Sequence, residues 1–184
     1  MSALQPGAAG PGAGSAAVQL CTFRVSGEDF AIDIMRVREI IPPVPLTPVP
    51  GAPAHVAGVF RLHGDVIPVV DLCRRLGLAP AGASRRAKII VVRVAGRFLG
   101  LMVDEVREVL RVGRDDLRPA PPALDASGAR LFLGVCGGER GPGGPGRRGG
   151  AARLRLLLNV KALLEPAPAD GMESARALLA AAEP

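Results

Sequence analysis

Few side chains in this sequence could do chemistry, and they rarely stand together. The stretch GVFRLHGDVIPVVDL, Gly58–Leu72, carries His63 on a polar His-Gly-Asp tip between two apolar runs. A histidine on such a tip could serve as a base or a metal ligand. Neither it nor His55 has a second histidine at ligand spacing, and no H-E-x-x-H occurs. Of six serines none sits in G-x-S-x-G. Asp104-Glu105 and Asp115-Asp116 are adjacent, and neighbours on a strand point to opposite faces, so neither is a working carboxylate pair. The three cysteines, Cys21, Cys73 and Cys136, are odd in number and far apart, which suggests neither a zinc site nor a disulfide framework. No phosphate-binding loop or dinucleotide fingerprint appears. The residues therefore argue against an enzyme, a metal centre or a cofactor, and leave recognition as the function.

What kind of recognition is bounded by composition. The chain has 184 residues, a formal charge of +6 and a pI near 10.5. That charge raises a nucleic-acid reading, a basic double-barrel protein with Arg140, Arg147, Arg148 and Arg153 as its densest cluster. Against it, arginine far outnumbers lysine amid 24 glycines and 18 prolines, as a GC-rich genome would impose whatever the function. With no Trp, no Tyr and five Phe, stacking platforms for bases are scarce. No apolar run reaches the roughly 18 residues that span a bilayer, so no membrane insertion is expected. The start, MSALQPGAAGPGAGSAAVQL, lacks a basic n-region and an apolar core, so a cytoplasmic protein is expected.

The elements that position these residues come in two copies. QLCTFRVSGEDFAIDIMRVREII (19–41) lies over KIIVVRVAGRFLGLMVDEVREVL (88–110) at a shift of 69, with six identities in 23 positions. Each copy reads as a strand, a turn at glycine and a second strand ending in V-R-E. IPVVDLCRRL (67–76) matches RLLLNVKALL (155–164) more faintly: a strand, Asp71 or Asn159 as N-cap, then a short helix. Gly58-Val59 corresponds to Gly134-Val135, so His63-Gly64-Asp65 is a hairpin turn that the second copy enlarges into a Gly/Arg-rich loop, 137–153. The fold class expected is mainly all-β: two small antiparallel barrels side by side, completing one core at a shared face, with short helices. Pro68 should sit at an edge or bulge, and Pro42–Pro53 should form an irregular crossover. Residues 1–17 read as a disordered arm, 18–164 as one domain with interleaved lobes (repeats about 19–78 and 88–164), and 165–184 as a tail with a helix over 171–182.

At this point four segments in order resemble the CheW family, the coupling proteins of bacterial chemosensory arrays. They are FAIDIMRVREII (30–41), GVFRLHGDVIPVVDL, the 88–110 copy with its PAPP at 119–122, and LFLGVC with RLLLNVKALL. The resemblance implies two five-stranded barrels around a common core. It implies a non-catalytic adaptor in two-component signalling, for swimming or surface motility, at receptor arrays on the inner face of the membrane. Its partners would be the regulatory domain of a CheA-type histidine kinase and the cytoplasmic tip of methyl-accepting receptors, held in a groove between the barrels. Partner contact would then fall to Val37, Glu39 and Ile41, to Gly58, Leu62, His63, Gly64, Asp65, Pro68 and Asp71, and to Gly100, Val103, Asp104 and Val106. Gly58, Gly64 and Gly100 also read as backbone requirements. The family carries arginine where this chain has His63, so a permanent charge becomes a conditional one. Glu39 and Glu108 are equivalent, but only Glu39 should face the His63 hairpin of its own barrel.

Overall fold

The computed structural model describes residues 17–82, 84–119, 130–137 and 154–164. The N-terminal arm, most of the Gly/Arg-rich loop and the C-terminal helix expected from sequence lie outside these residues. Among the described residues there are eleven strands: β1 (Val18–Val25), β2 (Glu28–Asp33), β3 (Val37–Ile41), β4 (Val56–Leu62), β5 (Asp65–Asp71), β6 (Lys88–Val94), β7 (Arg97–Val103), β8 (Glu105–Val112), β9 (Leu117–Arg118), β10 (Phe132–Gly137) and β11 (Leu154–Leu158). One short helix, α1 (Leu72–Arg75), and three 3-10 turns complete them.

The strands form two sheets, ordered β3-β6-β7-β5-β4 and β8-β1-β2-β11-β10-β9. Each closes on itself. In the first, Thr47, beyond the end of β3, exchanges hydrogen bonds of 2.8 and 2.9 Å with Val59 of β4. In the second, β9 continues β8 after a 3-10 turn and pairs with β10. With β8 and β9 counted as one bent strand, each barrel has five, as expected. Closure depends on two equivalent glycines. A Cβ on Gly58 would stand 2.7 Å from the Thr47 carbonyl oxygen, and one on Gly134 would meet that of Arg118. Gly58 also takes φ of +148°, which side chains avoid.

Interleaving follows from the repeat. The first barrel combines β3, β4 and β5 with the β6–β7 hairpin of the second copy, and the second barrel combines β8–β11 with the β1–β2 hairpin of the first. Each copy thus lends its opening hairpin to the other's barrel. Pairing is mostly antiparallel, but β5–β7 and β2–β11 are parallel, a consequence of the exchange.

Alternate residues on these strands serve two different cores. Ile67, Val69, Ile89 and Val91 fill the first barrel, and Leu20, Ala31 and Leu157 fill the second. Their neighbours Cys21, Phe30, Ile32, Val70, Ile90, Val92, Leu156 and Leu158 point outward into the core between the barrels. There Phe30 stacks on Phe23 and Phe132 at 6.1 and 6.5 Å between ring centroids. Fully burying each large apolar side chain contributes about 1.5–3 kcal/mol, so this shared face is what makes two small barrels one stable unit.

Three details differ from the sequence reading. V-R-E does not end the second strand of either copy. Asp33 accepts a 2.9 Å bond from the Met35 N–H and caps the turn Ile34–Arg36, so Val37-Arg38-Glu39 opens a new strand, β3. In the other copy it lies in β8. Pro68 is in a central strand, not at an edge. It is tolerated because the β5–β7 ladder begins one residue later, at Val69–Gly100. Asp71 caps α1 as expected, accepting a 3.1 Å bond from the Arg74 N–H. The Asn159 side-chain amide donates to the Arg130 carbonyl at 3.0 Å, and a 3-10 turn, Ala162–Leu164, follows in place of the expected short helix.

Candidate docking face and groove

The polar residues of interest gather at the mouth of the first barrel. His63 and Gly64 form a two-residue turn between β4 and β5 with φ of 49° and 93°, the doubly left-handed backbone that tight hairpins require. Ser26-Gly27 and Ala95-Gly96 make the same turn elsewhere. The tip is therefore rigid, and it holds His63 Nε2 3.3 Å from Glu39 Oε1 across the barrel mouth. His63 is 62% exposed and Glu39 30%. Arg38 stands 3.8 Å from the same oxygen, but its guanidinium lies over the Phe98 ring at 4.5 Å from the centroid, a cation–π contact. Val66 and Ile40, on strands of the same barrel, are exposed.

The second barrel repeats this arrangement in different chemistry. Arg107 takes the place of Arg38 and Asp29 that of Phe98, so a 3.8 Å ion pair replaces the cation–π contact. Glu108 takes the place of Glu39 and pairs with Arg155 at 3.6 Å. Arg155 is equivalent to Ile67 and buried in the barrel, and its Nε and Nη1 have no hydrogen-bond partner among the described residues. Thr22 stands in for Val91, donating its hydroxyl to the Glu108 carbonyl at 2.8 Å.

A second surface runs between the barrels. Ile34, Val37 and Val106 are half-buried against the shared core, and Met35 beside them is 86% exposed. The two barrels are tied beneath it. Arg75, buried, donates from Nε and Nη2 to the carbonyls of Leu163 and Ala162 at 3.1 and 2.9 Å. Asp104 accepts a 2.6 Å bond from the Ser26 N–H, and its own N–H donates to the Arg24 carbonyl at 3.0 Å.

The residues singled out from sequence divide accordingly. Glu39, His63, Gly64 and Asp65 are at the accessible mouth, and Leu62 and Ile41 are half-buried beneath it, packed on the first barrel's core. Val37 and Val106 are half-buried against the core between the barrels. Val103, at 2% exposure, is core and presents nothing to a partner. Gly58 and Gly100 are buried packing positions, a Cβ on Gly100 meeting Ile89 and Val69 at 3.0 and 3.1 Å. Pro68 is inside the sheet. Asp71 serves as a helix cap and Asp104 as the clamp on the β1–β2 turn. Sequence reasoning missed Arg38 on Phe98, exposed Met35, and the buried Arg75 and Arg155. Only the repeat offered a signal for Arg155, by aligning an arginine with Ile67.

Burial raises the thiols of Cys21 and Cys136 above their usual range, which keeps them protonated and inert. His55 is pushed down by burial first and by the Arg75 charge second. No group of His, Cys, Asp and Glu able to hold a metal occurs among the described residues. Among those residues, no helix is long and apolar enough to cross a membrane.

Comparison with known proteins places both barrels together. The family model of the CheW-like domain matches residues 19–167. The chemotaxis protein CheW of Rhizobium meliloti (strain 1021) is 46% identical over 122 residues, 65% of this chain and 79% of that protein. The CheW of Treponema pallidum (strain Nichols) is 33% identical over 121 residues, 64% of this chain and 71% of that protein. The crystal structure of the scaffolding protein TtCheW from Thermoanaerobacter tengcongensis superposes with a TM-score of 0.71 at 26% identity, covering 82% of this chain and 94% of that one.

Proposed function

The chain belongs to the CheW-like domain family, and from that premise we propose that it is a non-catalytic adaptor coupling chemoreceptors to a CheA-type histidine kinase. The observation that carries this is the extent of the likeness: it spans both barrels and the groove between them, so a whole scaffold is matched and no isolated motif. In this reading the mouth of the first barrel, with Glu39 and His63, docks on the kinase regulatory domain. The groove of Ile34, Met35, Val37 and Val106 receives the apolar face of a receptor helix, as amphipathic helices commonly bind. The tight coupling of the barrels through Arg75 and Asp104 makes receptor position felt at the kinase face through geometry alone. The unit that does this is 18–164, working at receptor arrays beside the inner membrane face.

The nucleic-acid reading has little to support it. Of the 23 lysines and arginines, Arg75 and Arg155 are buried, and Arg24, Arg38, Arg74, Arg86 and Arg107 are engaged at the surface by an ion pair or a ring.

Reconstitution tests the proposal. Receptor-bearing membranes and the kinase are mixed with and without this chain, and autophosphorylation is followed. The chain should raise the kinase rate only when receptor is present, and Val37→Asp or Met35→Asp should abolish that gain. A rate that ignores the chain would contradict the adaptor reading.

A further inference from the structure

We propose that the Glu39–His63 pair makes docking of the first barrel proton-linked, the chain taking up a proton as its partner covers this face. This rests on the docking reading above and concerns how that face is regulated. The two barrels place equivalent glutamates at their mouths. Glu108 is paired with Arg155, whose charge is permanent, whereas Glu39 is paired with His63 at 3.3 Å, whose charge is conditional. The left-handed turn holds His63 in place beside Glu39, with 62% of its side chain exposed.

The sign follows from desolvation. In the free chain His63 is 62% exposed and water screens the pair, which is then worth little. A docked partner removes water from Glu39 and His63 together, and burying a bare carboxylate costs far more than burying one paired with a cation. The protonated state therefore docks more tightly. The charged groups on the elements around this pair are Arg38 on β3, Arg61 on β4, Asp65 on β5, Arg93 on β6 and Arg97 on β7. Arginine and aspartate as types keep their charge between pH 6 and 8, and histidine is the type on this face that can change it. Arg38 offsets part of the Glu39 charge, but its place on Phe98 keeps it to one side.

One proton sets the ceiling: affinity rises no more than about tenfold per pH unit as pH falls. Calorimetry against the kinase regulatory domain at pH 6, 7 and 8, in phosphate and in bis-Tris propane, reads both affinity and proton uptake. Affinity should rise at least roughly threefold from pH 8 to pH 6, with uptake of part of a proton. His63→Arg should hold affinity at its acid value with no uptake. His63→Asn, which tolerates the left-handed turn, should hold it at the alkaline value. If wild type and both variants bind with the same pH profile, the proton link is wrong and docking stands. If none of them binds at any pH, the docking reading fails and the link falls with it.

Discussion

Replacing Arg155 by methionine should stabilise the protein. The side chain is 8% exposed inside the second barrel, with Nε and Nη1 unpartnered among the described residues. Each buried, unmet donor costs about 1–3 kcal/mol. The offsetting gain is small, because Glu108 stands 3.6 Å away and is half exposed, and such pairs are worth about 0–1 kcal/mol. The first barrel already accommodates Ile67 at the equivalent place, buried with Phe60 and Val91. Methionine is long and pliable enough to fill the guanidinium's space. The net expectation is a gain of about 1–4 kcal/mol, which for a chain of this size raises Tm by roughly 2–4 °C per kcal/mol. Urea unfolding monitored by far-UV circular dichroism measures it, with an unchanged m-value as the check on two-state behaviour. Destabilisation by more than about 1 kcal/mol at constant m would mean that the guanidinium is satisfied after all, and the reasoning would be refuted.

Other substitutions test the closure of each barrel and the tie between them. Gly58→Ala places a Cβ against the Thr47 carbonyl and strains a left-handed backbone, so a loss of about 2–4 kcal/mol should appear in the same unfolding assay. Arg75→Met removes the donors to Leu163 and Ala162. It should lower stability by about 1–3 kcal/mol and speed amide exchange at Leu163 and Leu164, as followed by hydrogen-exchange NMR. Burial, aided by Asp71 and Asp104, raises the Cys73 thiol, so at pH 8 it holds less thiolate than a free cysteine. Iodoacetamide should label it more slowly, with the rate still climbing above pH 9.

Much of this fold was legible because its signals are local or repeated. The x-Gly turns at Ser26-Gly27, His63-Gly64 and Ala95-Gly96 mark three hairpins, and the shift of 69 reveals the duplication. Asp71 announces its own helix. Which hairpin joins which barrel leaves no local mark, since β1 and β6 are apolar on both faces whichever barrel they join. The same double burial explains why Val103 reads as a groove residue and proves to be core. Asp104 reads as surface charge because its bond to the Ser26 N–H spans 78 residues, beyond any sequence pattern. Glu39 and His63 were brought together in advance by the repeat and the family resemblance. Arg38 on Phe98 was not, because a stacked arginine and an exposed one look alike in sequence.

The most direct test of the adaptor account is the salt dependence of binding between this chain and the kinase regulatory domain, with a duplex DNA of mixed sequence as the comparison. The account predicts saturable micromolar or tighter binding to the kinase domain, weakened by Glu39→Ala, that changes only modestly from 50 to 200 mM salt. DNA binding should be weak and fall steeply with salt over that range. Firm, salt-steep binding to DNA with no measurable binding to the kinase domain would contradict it.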